Sequence, residues 1–84
     1  MTTIRIGGVR FIIYPQDHAP RHVHGLYQGV EVIVDLNEPA RVTLADRKDA
    51  VRPGNAKRAQ VRHILNVAAH NFDALATAWD AMHR

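Results

Sequence analysis

Asp17-His18-Ala19-Pro20-Arg21-His22-Val23-His24 gathers three of the six histidines and one carboxylate into eight residues. Imidazole titrates near neutral pH and ligates borderline metals, so its clustering points to chemistry. His22 and His24 are two apart, which on a strand puts both on one face. Pro20 fixes its own φ and biases Ala19 toward an extended conformation, so a bend precedes the pair. His18 stands just before that bend and could fold back toward it.

Three readings of the cluster follow. As a metal site, Asp17, His18, His22 and His24 offer one carboxylate and three ring nitrogens, a donor set for zinc or manganese with one position left open. In metal-free acid–base chemistry, one imidazole would take a 2′-hydroxyl proton from RNA and another would protonate the leaving oxygen. Asp17 would orient a ring, and Arg21 would stabilise the developing phosphorane charge. In a structural reading, Asp17 makes an Asx turn, and His22 and His24 bond Glu31 or Asp35 across the sheet. Such cross-strand pairs contribute roughly 0.2–1 kcal/mol.

A second candidate surface is electrostatic. The net charge is +3, but residues 1–40 carry three basic and four acidic groups, whereas residues 41–84 carry eight basic and four acidic. Arg47, Lys48, Arg52, Lys57, Arg58 and Arg62 fall in the richest stretch. They form a candidate phosphate-contacting segment or, more simply, a solvated loop and helix face.

Hydrophobic periodicity supplies the elements that must position these groups. Gly7-Gly8 between Ile4-Arg5-Ile6 and Val9–Tyr14 predicts a two-residue hairpin, because both turn positions tolerate φ > 0. His22–Tyr27 and the β-branched run Val30–Leu36 predict two further strands around Gln28-Gly29. Arg41–Leu44 reads as a short edge strand, and residues 45–54 as a loop. Asn55 is the expected N-cap of a helix. Val61, Ile64, Leu65 and Ala68 mark one helical stripe; Phe72, Leu75, Ala76, Trp79 and Met82 mark a second after a break at His70-Asn71. Trp79 is expected in the core, His63 and His83 on solvated helix positions, and His70 at a helix C-terminus. The expected fold is α+β: one domain over residues 1–84, with a small antiparallel sheet of three to four strands followed by two C-terminal helices packed on one face.

Composition narrows the function classes. There is no cysteine, so disulfides and thiolate zinc sites are excluded. No stretch approaches the ~20 apolar residues of a membrane span. A cytoplasmic protein without membrane contact is expected. A core this small often depends on a partner chain or on self-association.

The chain resembles the small prokaryotic proteins grouped as domain of unknown function 4160. The resemblance rests on Arg5-Ile6-Gly7-Gly8 leading into Val9–Tyr14, on Asp17-His18-x-Pro20-x-His22-Val23-His24, and on Gly29-x-Glu31. It continues in Asn71-x-x-x-Leu75-x-x-x-Trp79-x-x-x-His83 and spans nearly the whole chain. Arg21 departs from it, standing where members usually carry a second proline. The stretch Ala45–Arg62 is longer and more basic than in the family. The resemblance implies a protein partner, because members look like halves of two-gene modules of the toxin–antitoxin kind. The leading functional expectation is therefore a module acting with a small protein partner, in a toxin–antitoxin-like or regulatory pair. The alternative is a small histidine-dependent nuclease, metal-dependent or metal-free; a third is a nucleic-acid-binding regulator.

Overall fold

Two tight turns organise the first half of the chain. In the computed structural model, which describes residues 1–84, Gly7 and Gly8 adopt φ of 60° and 79° and join β1 (Thr2–Ile6) to β2 (Val9–Ile13). Gln28 and Gly29, at 51° and 78°, join β3 (His22–Tyr27) to β4 (Val30–Asn37) in the same way. Turns with two positive φ values match the right-handed twist of paired strands, so register is set at each hairpin.

All pairings are antiparallel, in the order β1-β2-β3-β4-β5, with β5 spanning Arg41–Leu44. A two-residue strand β6 (Val51–Arg52) also pairs with β4. The sheet thus has six strands, not three to four. The additional ones come from giving β1 and β5 full ladders and from β6, which lies inside the stretch expected to be loop. β5 and β6 share one edge of β4: Leu44 pairs with Val34, and Val51 with Val32. Between them Ile33 uses its N–H on the Ala50 carbonyl at 2.8 Å and its carbonyl on the Ala45 N–H at 3.0 Å. A polar six-residue excursion can therefore leave the edge of β4 and return without orphaning backbone groups.

Helices α1 (Arg58–His70) and α2 (Phe72–Met82) follow. The N-cap of α1 is Lys57 rather than Asn55. Ala56 N–H bonds the Pro53 carbonyl at 3.0 Å, which holds Asn55 inside a turn, and the Gln60 side chain then accepts from Lys57 N–H at 3.1 Å. The expected break is a single residue: Asn71 leaves helical geometry at φ −122°, and its side-chain amide donates to the Val67 carbonyl at 2.8 Å.

Both helices pack on one sheet face. Val9, Phe11, Ile13, Val23, Val32 and Val34 alternate toward it and meet Ile64, Ala68, Phe72, Leu75 and Trp79. Contact is closest over Gly25, where a Cβ would stand 2.6 Å from Ile64 Cγ2 and 3.2 Å from a Phe11 ring carbon. Glycine at this strand position lets α1 lie flat on the sheet. The opposite face carries the intervening residues of β2, β3 and β4, including His24, with Ile12 and Ile33 buried beside it.

Candidate metal centre

The strand alternation that sends Val23 and Gly25 toward the helices sends His22 and His24 to the other face. Asp17 comes from the β2–β3 connection, where its N–H bonds the Tyr14 carbonyl at 3.2 Å and turns the chain back over that face. Asp17 Oδ2 lies 3.2 Å from His22 Nε2 and 3.2 Å from His24 Nε2. One ligand atom from each of the three residues falls within 4.8 Å of the other two.

The remaining ring nitrogens are already committed. His22 Nδ1 is 3.0 Å from the Pro20 carbonyl, which only accepts, so Nδ1 carries the hydrogen. His24 Nδ1 is 3.0 Å from Glu31 Oε2. Burial alone would raise the Glu31 carboxyl, but hydrogen bonds from His24 and Arg52 outweigh it and hold Glu31 below the usual carboxylate range. Glu31 is therefore an ionised acceptor, and His24 Nδ1 is the donor. Arg52 braces the other Glu31 oxygen at 3.0 Å. With both Nδ1 atoms acting as donors, the two Nε2 atoms are the ring positions turned toward Asp17 Oδ2. A proton on Nε2 or a shared cation would each satisfy these contacts, and the three atoms converge as a ligand set would. Ligating histidines commonly donate their second nitrogen to a carboxylate or a backbone carbonyl, which orients the ring and raises its basicity. Both arrangements occur here.

Aromatic packing fixes the rings. Tyr14 meets His24 edge-on at 5.0 Å, His22 packs against Trp79 at 5.1 Å, and His83 stacks on Trp79 at 3.6 Å. A cleft of about 440 Å³ opens beside the centre, lined by Asp17, His18, His22, Asp35, Asp46 and Arg47 among others. Burial raises the Asp35 carboxyl in this cleft, with Asp46 adding to the effect and His22 and Arg47 opposing it.

Of the sequence candidates, Asp17, His22 and His24 converge. His18 is exposed on the rim of the cleft and is not part of the triad. Arg21 sits one strand position before His22 and so faces the helix side. It pairs with Glu38 and with Asp80 at 3.3 Å and lies over the Phe72 ring, tying β3 to α2. The basic segment is not gathered into one surface. Arg47 pairs with Asp49 beside the cleft, Arg52 holds Glu31, and Lys48 is exposed in the loop, whereas Lys57, Arg58 and Arg62 belong to α1 and its cap beyond the other sheet face.

The other histidines separate as well. His70 bonds the Asn66 carbonyl at 2.8 Å in the last turn of α1, as expected. His63 reaches the Gly7 carbonyl at 2.8 Å, and the His83 ring is packed, with Nε2 buried and unpartnered; neither is a freely solvated position. Sequence reasoning named Glu31 as a cross-strand partner of the histidines, which holds for His24. It missed Arg52, whose pairing depends on the two-residue β6, and Trp79 as the support of His22.

The family model for a domain of unknown function, DUF4160, matches residues 8–80. No curated protein and no solved structure matches the chain. No helix is long and apolar enough to cross a membrane. The family match takes in β2 to β6, the whole Asp17–His24 motif, α1 and most of α2, and the chain belongs to the DUF4160 family.

Proposed function

We propose that this domain is a small metal-dependent hydrolase of the nuclease class, holding zinc or manganese with Asp17, His22 and His24. The observation that carries the reading is the pairing of a shared carboxylate contact with two committed Nδ1 hydrogens. Two histidines and one carboxylate leave positions open for water and substrate. A bound divalent ion would lower the pKa of its water and polarise a phosphoryl oxygen. Hydrolysis of a phosphodiester would add water at phosphorus and break one P–O bond, with a proton passing to the leaving oxygen. The cleft beside Asp17 and His22 gives a substrate access.

The first test is elemental analysis of the purified protein after dialysis against each metal. About one equivalent of zinc or manganese is expected, absent from the His22→Ala, His24→Ala double variant. Glu31→Gln keeps the ligands but removes the carboxylate behind His24, and is expected to weaken metal affinity by about 10–100-fold. Folded wild-type protein that takes up no metal at saturation would refute the assignment.

A second reading, a module that works with a small protein partner in a toxin–antitoxin-like or regulatory pair, is favoured by β1. This strand ends the sheet order, so its outer edge has no strand beside it. Open edges are templates for pairing with another chain. On this reading the isolated protein self-associates, and sedimentation velocity shows a species larger than the monomer. A monodisperse monomer at high concentration counts against it.

A further inference from the structure

The outer face of the sheet carries a second feature next to the metal centre. Arg5 pairs with Arg10, Arg10 with Leu26, Leu26 with Glu31, and Glu31 with Arg52. These pairs form one row that crosses five strands. Neighbouring strands lie about 4.8 Å apart, so the row runs for about 19 Å. It lines an open groove of about 860 Å³.

The charges in this row are not self-sufficient. Arg5 and Arg10 stand directly opposite each other, both exposed, and neither has an ion-pair partner. Like charges in that position repel. An anion between them converts the repulsion into attraction. Arg52 commits one nitrogen to Glu31 and keeps further N–H donors for a ligand. Guanidinium is suited to phosphate because its fork can bond two oxygens at once.

We propose that this row binds the phosphodiester backbone of a single-stranded nucleic acid. The row is much longer than one phosphate group, so it fits a polyanion better than a mononucleotide. An open sheet surface of this kind accommodates a flexible single strand, whose backbone can follow the row. Leu26 is two residues from His24 on β3, about 7 Å along the strand. A backbone bound on the row therefore passes beside the metal centre. The row names the substrate class of the proposed hydrolase, and its catalytic meaning rests on that reading.

The test is fluorescence anisotropy with labelled oligouridylate and oligothymidylate, in EDTA so that binding is measured without metal. Wild-type protein is expected to bind, with affinity falling steeply with salt. Arg5→Ala, Arg10→Ala is expected to weaken binding about tenfold or more and to reduce the log–log salt slope by about two. Arg41→Ala, Arg84→Ala removes the same charge from exposed positions outside the groove and is expected to leave affinity within about twofold if charge position matters. Circular dichroism checks that both variants fold. No binding by the wild type, equal losses in the two variants, or tighter binding of a duplex competitor would each overturn the proposal. Metal content is measured on the same preparations. Metal uptake without oligonucleotide binding refutes the row and leaves the metal centre standing. Oligonucleotide binding through Arg5 and Arg10 without metal uptake keeps the row and removes the hydrolase.

Discussion

Zinc or manganese, added to chelated protein at a hundredfold excess over its dissociation constant, is expected to raise the thermal midpoint by about 10–20 °C. A ligand that binds only the folded state contributes about 2.7 kcal/mol at that excess, and each kcal/mol moves the midpoint of a domain this small by about 4–8 °C. Asp17, His18, His22 and His24 lie within eight residues, so the unfolded segment also holds metal, and that competition moves the increment toward the lower end of the range. The readout is the increment that metal produces, not the midpoint itself. His24→Ala strips a partner from both Asp17 and Glu31 and so shifts the metal-free midpoint too. What it must abolish is the increment. His18→Ala leaves the triad intact and is expected to retain the full increment. Differential scanning calorimetry of wild type, His24→Ala and His18→Ala measures all three. An equal increment in His24→Ala would place the ion elsewhere.

Trp79→Ala is expected to destabilise the domain by about 3–5 kcal/mol, the range for removing a buried large aromatic. Trp79 is 4% exposed and belongs to the main core cluster, on the helix that closes the chain. Against a total stability of about 5–15 kcal/mol for a typical domain, and the lower part of that range for one this short, much of the protein would be unfolded near physiological temperature. Trp79 also packs on His22, whereas Ile64 sits over Gly25. Trp79→Ala should therefore lower the metal affinity of the folded fraction as well. Ile64→Ala should cost about 2–5 kcal/mol with affinity unchanged. Urea denaturation combined with metal titration at low urea separates the two. If the two variants lose metal affinity to the same degree, Trp79 acts only through global stability.

Sequence period was a faithful guide wherever a residue's neighbours lay close in the chain. The alternation in β2, β3 and β4 identifies which residues face the helices, and it places His22 and His24 on one side with Glu31 and Asp35. The two helical stripes and the break at Asn71 are read with the same certainty, since helix and turn are decided by contacts three or four residues apart. Even the core position of Trp79 follows from its spacing. Two glycine-containing pairs are enough to predict the hairpins, because few residues tolerate two successive positive φ values.

The site itself was decided by contacts that period does not encode. His18 and Asp17 are adjacent in sequence, yet only Asp17 turns inward, because its N–H is bound back to Tyr14 and the chain reverses there. Arg21 adjoins His22, yet it faces Asp80 and Phe72, since one step along a strand inverts the side chain. Arg52 reaches Glu31 across twenty-one residues through a strand too short to show alternation. The sequence by itself determined the α+β class, the hairpins, the helices and the shared face of His22 and His24, because each is the sum of local preferences and a burial pattern. Only the tertiary structure decided that Asp17 completes the triad, that Glu31 and Arg52 stand behind His24, and that Arg5 and Arg10 line up with them, because those neighbours are set by strand register and loop closure.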